Sequence, residues 1–235
     1  MKIVADLHIH TLASGHAYNT ILENAQSAFS KGLELIAITD HGPRMPGAPH
    51  RYYFSNLRVL PSKINGVEVL KGVEANILDR EGALDLDNYY LEKLDIVLAG
   101  FHDDCIASGS IEENTSALIN VIQNPLVNII VHPGNPKYKI DYERVVSAAA
   151  AHHVAIEINN SSLTVVRKGS FENCREIAKL CKKYGTMVSL GSDAHWNQFV
   201  GEFPKSKELL KEAEISPEYV LNTSKEKIKN FLKLK

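Results

Sequence analysis

Short β-branched runs recur along this chain, and nearly every one ends in a histidine or a carboxylate. The runs cover residues 3–9, 33–39, 67–73, 95–101, 127–131, 154–158 and 187–190. Each has the length and composition of a buried strand, and helical patterns fill the intervals. Residues 20–31 are alanine-rich and stop at Gly32, and residues 112–124 end before Pro125. Residues 141–152 begin on a capping aspartate, residues 170–184 stop at Gly185, and a basic amphipathic helix is expected from Ser224 to the C-terminus. The intervals 51–65 and 87–94 carry less definite patterns. Strands alternating with helices predict a parallel sheet, either open and doubly wound or closed into a barrel.

The strand ends decide between the two. The first run ends in Asp6-Leu7-His8-Ile9-His10, the second in Thr39-Asp40-His41-Gly42, the third in Gly72-Val73-Glu74-Ala75-Asn76. The fourth ends in Gly100-Phe101-His102, the fifth in Val131-His132-Pro133-Gly134, the sixth in Glu157-Ile158-Asn159-Asn160-Ser161, the seventh in Gly191-Ser192-Asp193-Ala194-His195. In a closed β/α barrel all these ends converge on one mouth, where such folds keep their active sites. An open sheet would spread them along a line. We therefore expect a distorted seven-stranded (β/α)7 barrel, α/β in class and TIM-like.

Alternation along a strand puts Asp6, His8 and His10 on one face, with Leu7 and Ile9 on the other; Asp193 and His195 likewise share a face. A lone histidine is usually a satisfied core or surface residue. Here His8, His10, His16, His41, His102, His132 and His195 all fall at the expected mouth, and only His50, His152 and His153 do not. Converging seven imidazoles and two carboxylates without a metal would leave buried polar groups unsatisfied, so the pattern reads as a metal centre.

Composition narrows the setting. A chain of 235 residues with no repeat or linker is expected to form one domain over residues 1–235. Its net charge of −2 offers no global field for nucleic acid or an anionic membrane, so affinity for anions must be local. No apolar run approaches the roughly 20 residues that span a bilayer. Charge arrives at Lys2, too early for a secretory apolar region, and Cys105, Cys174 and Cys181 are too few and odd in number for a disulfide framework. A reducing cytoplasmic setting follows as an expectation. Cys174 and Cys181, two helical turns apart, read as helix packing, and Cys105 as a loop thiol.

The combination of His8 and His10, His16, Asp40-His41-Gly42, Glu74, His102, His132-Pro133-Gly134 and Asp193-Ala194-His195 resembles the polymerase and histidinol phosphatase (PHP) superfamily. Asp-Leu-His-Ile-His-Thr at 6–11, Gly-Asn-Pro-Lys-Tyr at 134–138 and Asn-Asn-Ser-Ser at 159–162 are similar to its YcdX-like phosphatase branch. The resemblance runs from Val4 to about Phe203 with no ligand missing, and it implies the same seven-stranded barrel. It further implies three divalent metal ions, zinc first, with iron or manganese as alternatives. By that resemblance His8, His10, Glu74 and Asp193 hold the first ion, His16, His41 and His195 the second, and His102 and His132 the third, with Glu74 bridging. The expected activity is hydrolysis of a small phosphomonoester by a metal-activated hydroxide. Three divalent ions against two carboxylates leave about four positive charges, which suit a phosphate dianion.

Around the cluster, Asp6 and Asp40 are candidates to orient ligand imidazoles. Arg167, with Lys168, is a candidate phosphate clamp beside Asn159 and Asn160, and Asp193, Glu74 and Arg167 are the expected catalytic set. Arg44, His50, Arg51 and Tyr52, in the loop at 42–56, could line a lid, and Lys137 and Tyr138 the pocket wall. Two rivals stand beside the phosphatase: a phosphodiesterase or other metallohydrolase on the same cluster, and a metal-binding module without catalysis. The sequence leaves self-association into a homo-oligomer open.

Overall fold

The computed structural model describes residues 1–234. Its strands are β1 (Ala5–Ile9), β2 (Leu35–Ile38), β3 (Lys63–Ile64), β4 (Val67–Asn76), β5 (Ile96–Gly100), β6 (Ile129–Ile130), β7 (Ala155–Asn159) and β8 (Val188–Gly191). Between them lie α1 (Ile21–Ser30), α2 (Arg51–Asn56), α3 (Asn88–Leu91), α4 (Ile111–Ile122), α5 (Tyr142–His152) and α6 (Ser170–Tyr184), followed by α7 (Pro204–Glu212) and α8 (Lys225–Leu232). Seven strands run parallel in the order β1-β2-β4-β5-β6-β7-β8. The eighth, β3, is a short antiparallel hairpin arm on β4, turned at Asn65-Gly66, and lies outside that path.

Local chemistry accounts for the helix starts. Thr20 and Ser110 each form a reciprocal capping box, with Glu23 on α1 and with Glu113 on α4. Asp141 caps α5 and Ser224 caps α8 through the third helical amide. The last turn of α6 is closed by Gly185 in the left-handed region. β1, β2, β5, β6, β7 and β8 are buried at every position, as strands covered on both faces must be.

The sheet nearly closes on itself. At the mouth, His10 N–H donates to Ala194 O at 3.0 Å and Asp193 N–H to His8 O at 2.9 Å. Lower down, the buried Asn222 side chain stitches β1 to β8, donating to Ala5 O and Leu190 O and accepting from Leu190 N–H at 2.7 Å. Leu221, Ile228 and Phe231 pack with Leu7, Leu35, Leu98 and Val131, so the C-terminal segment fills the end of the barrel away from the mouth.

Strict alternation fails on β1. The register shifts between Asp6 and Ile9. Leu7 joins that inner cluster, whereas Ile9 packs outward with Ala25 and Ala28 of α1. The irregularity lets His8 and His10 both turn to the mouth while Asp6 turns elsewhere. Among the described residues no helix is long and apolar enough to cross a membrane.

Candidate metal centre

Six strand ends and the loop after β1 deliver the cluster. His8 and His10 come from the end of β1, Glu74 from β4, and His41, His102 and His132 from just beyond β2, β5 and β6. Asp193 and His195 follow β8, and His16 lies in the loop after β1. All except His16 and His195 are buried.

Glu74 sits at the centre. Its Oε2 lies 3.4 Å from both His8 Nε2 and His10 Nε2 and 2.8 Å from His41 Nδ1. Its Oε1 lies 3.1 Å from His102 Nε2 and 2.8 Å from His132 Nε2. Asp193 Oδ1 is 3.2 Å from His10 Nε2, 3.7 Å from His8 Nε2 and 3.5 Å from His195 Nδ1. The His16 ring stacks on those of His41 and His195, with centroids 5.1 and 4.8 Å away.

Proton bookkeeping tests whether this cluster suits a cation. His8 Nδ1 is 2.7 Å from Glu157 Oε1, an acceptor only, so His8 carries its proton there. Ser14 Oγ donates to Asp40 Oδ1 at 2.7 Å, which spends its one proton. His10 Nδ1, 3.0 Å from that hydroxyl, must therefore donate to it. In the neutral rings both Nε2 atoms are then bare, and they face each other at 3.1 Å. Nearby, the buried His41 Nδ1 and Glu74 Oε2 are 2.8 Å apart but not aligned for a hydrogen bond, and among the described residues neither they nor His102 Nδ1 have another partner. Opposed lone pairs and orphaned donor atoms at such spacing fit divalent cations and little else. Three groups bring ligand atoms within 4.8 Å of one another: His8, His10 and Asp193; His10, His41 and His195; His41, Glu74 and His102.

The electrostatics are correspondingly polarised. Burial opposes charge on Glu74 and Asp193, yet the surrounding imidazoles, with Arg167 at Asp193, hold both carboxyls well below their usual range. Burial opposes charge on His8 too, but Glu157, Glu74 and Asp193 hold it well above the usual imidazole value, so without a cation a second proton takes the Nε2 position that a metal ion would otherwise fill. Burial, then His195 and His41, push His10 well below that value; burial and Arg167 push His132 down to about 3. Two of the cluster residues also have left-handed backbones without being glycine, His132 at φ 37° and Asp193 at φ 56°. Such conformations cost about 1–3 kcal/mol each and persist where surroundings enforce them.

The peripheral candidates divide. Arg167 donates to Asp193 Oδ2 at 3.0 Å and to Ser162 Oγ at 3.1 Å, and lines the mouth cavity of about 580 Å³ with His16, His41, His102, Asp193 and His195. Lys168 is exposed. Asp40 reaches His10 only through Ser14, and Tyr53 Oη donates to it from the other side at 2.6 Å. Asp6 orients no imidazole: it accepts the backbone N–H groups of His8, Ser192 and Gly201. Asn159 donates to Asp193 Oδ2, whereas Asn160 accepts two amides at the start of α7. His50 caps α2, Arg51 lies over Tyr90, and Arg44 and Tyr52 do not line the cavity; Met45 and Pro46 do. Lys137 pairs with exposed Asp103, and Tyr138 is buried with its hydroxyl on Ile106 O. Cys105 is half-buried and free, its thiol pushed up to about 12 by burial, and Cys174 and Cys181 are buried in α6. Sequence reasoning passed over Glu157 and Ser14, which hold the two β1 imidazoles.

Fold and site together describe a β/α barrel with a histidine- and carboxylate-lined candidate metal centre at its mouth. The PHP domain family matches residues 6–216. A probable phosphatase of Thermoanaerobacter sp. is 57% identical over all of this chain and 96% of its own length; one from Acetivibrio thermocellus is 52% identical over all of this chain and 97% of its own. The fold is similar to that of Lactococcus lactis histidinol phosphate phosphatase, solved with zinc, L-histidinol and phosphate, at a TM-score of 0.63 and 17% identity over 90% of this chain and 94% of that one. The chain belongs to the PHP domain family, and its enzyme class is phosphoric ester hydrolase.

Proposed function

We propose that the protein hydrolyses a small phosphomonoester at a centre of three divalent ions, zinc in the first instance. The observation that carries the reading is the pair of Nε2 atoms on His8 and His10, 3.1 Å apart with both Nδ1 atoms already engaged by Glu157 and Ser14, beside Glu74 Oε2. His8, His10, Glu74 and Asp193 would hold one ion, His16, His41 and His195 a second, and Glu74, His102 and His132 the third. When bound, such ions polarise phosphoryl oxygens and lower the pKa of water.

The chain's own residues then have separable tasks. Glu74 spans two groups of imidazoles with its two oxygens, fixing their separation. Asp193 is held from one side by Arg167 and Asn159, which leaves its Oδ1 turned to the imidazoles. Arg167 stands at the cavity wall, where a guanidinium can both restrain Asp193 and meet phosphate oxygens. Charge favours a dianion: three divalent ions against Glu74 and Asp193 leave about +4, and the added Arg167 and Glu157 offset each other.

The test compares p-nitrophenyl phosphate with bis(p-nitrophenyl) phosphate on chelated and on zinc- or manganese-restored protein. Monoester hydrolysis should vanish on chelation, return with metal and exceed diester hydrolysis at least about tenfold. Good diester cleavage with no monoester cleavage would overturn the phosphatase reading and leave the metal centre standing.

A further inference from the structure

Glu157 touches the proposed centre at two points and reaches a third through Asn159, without belonging to it. It lies on β7 between Ile156 and Ile158, in a strand buried at every position. Its Oε1 takes the His8 Nδ1 proton at 2.7 Å. Its Oε2 accepts the His132 backbone N–H at 2.8 Å and Asn159 Nδ2 at 3.1 Å. The same Asn159 amide donates to Asp193 Oδ2 at 3.2 Å. One carboxylate thus fixes a tautomer on β1, braces the left-handed turn at His132 after β6, and connects to the left-handed turn at Asp193 after β8.

The neighbouring strand leaves room for this arrangement. A Cβ on Gly191, the register partner of Asn159, would collide with Glu157 Oε1 and press on the His8 Cβ. Any larger residue there would displace the carboxylate.

We propose that Glu157 is a positioning residue of the metal centre, holding His8 as the Nδ1–H tautomer while restraining His132 and Asp193 through the same carboxylate. This rests on the metal-centre reading above, but not on the identity of the ester. All three donors need an acceptor. A glutamine can offer an oxygen to one side only, and its NH2 then faces a donor on the other. The near-isosteric change should therefore fail where a purely space-filling role would tolerate it.

The experiment is zinc affinity of Glu157→Gln by competition with a chromophoric chelator, alongside long-range ¹H–¹⁵N correlation spectra of histidine-labelled wild-type and variant protein. Outer partners of metal-bound histidines typically contribute about 10–100-fold in affinity, and a loss in that range is expected for the tightest ion. His8 should show protonated Nδ1 in the wild type, zinc-loaded or chelated, and Gly191→Ala should weaken zinc binding in the same direction. Unchanged zinc affinity in Glu157→Gln overturns the proposal. So does a wild-type His8 whose only proton lies on Nε2, a result that requires no variant to fold. Neither readout depends on turnover, so loss of the phosphatase reading would leave this one intact.

Discussion

Five imidazoles crowd the two oxygens of Glu74, three on Oε2 and two on Oε1. A neutral amide of the same shape would turn an NH2 group toward bare nitrogens and remove a negative charge at the point of highest demand. Glu74→Gln should bind fewer zinc ions per chain and lose more activity than the roughly 10–100-fold expected for an outer partner. Metal analysis of the purified variant, beside its turnover, checks this; full zinc content with normal turnover would remove Glu74 from the bridging position. The nine proposed ligands were legible because each falls at or beyond a strand end, where chemistry-bearing residues interrupt an apolar run. Glu157 was harder to see: it stands two residues before the end of β7, as Glu74 does in β4, but no ligand motif marks it. A signal was available: a carboxylate between two isoleucines in a fully covered strand must have partners. Which partners depended on β1 and β6, and nothing local to residue 157 names them. The parity argument for β1 failed for a similar reason, since the register against β2 shifts between Asp6 and Ile9 and no local signal announces the irregularity.

At the scale of elements, β1 and β8 are joined by an isolated bridge, Ile9 to Ala194, in place of a ladder, and a buried side chain reinforces the seam. Asn222 supplies both donors and an acceptor to backbone groups of the two strands, from a position with no exposure to water. Asn222→Ala would strand three backbone groups, and an unsatisfied buried group costs about 1–3 kcal/mol. A loss of roughly 3–5 kcal/mol is expected, read from the shift in urea midpoint at unchanged slope. Asn222→Asp should be worse than alanine, because its carboxylate would face the carbonyls of Ala5 and Leu190. A change within about 0.5 kcal/mol for either variant would mean the seam holds without this side chain. Helix starts were readable wherever a capping residue announced them, as at Asp141 and Ser224. α7 was missed: it begins at Pro204 after Phe203, which makes no side-chain cap, and its first turn reads Pro-Lys-Ser-Lys. Its actual cap comes from Asn160, far away in sequence. β3 escaped for want of length, being two residues that pair antiparallel with β4.

For the whole molecule, the proposed ions and the fold are thermodynamically linked. A ligand that binds the folded chain alone adds about 4 kcal/mol at a thousandfold excess over its dissociation constant. Chelation should lower the thermal midpoint by roughly 10 °C, given about 2–4 °C per kcal/mol for a chain of this size. Scanning calorimetry with and without chelator checks it, and coincident transitions would mean the ions add nothing to stability. The order of the chain has a further consequence. His8 and His10 stand on the first strand, while Asp193 and His195 follow the last, and the seam that unites them also needs Asn222. During synthesis on the ribosome the early histidines therefore emerge long before their partners exist. Until the final helices have left the exit tunnel, the chain holds only fragments of a binding site. Loading of the proposed centre therefore has to wait for the segment from Asp193 to Asn222.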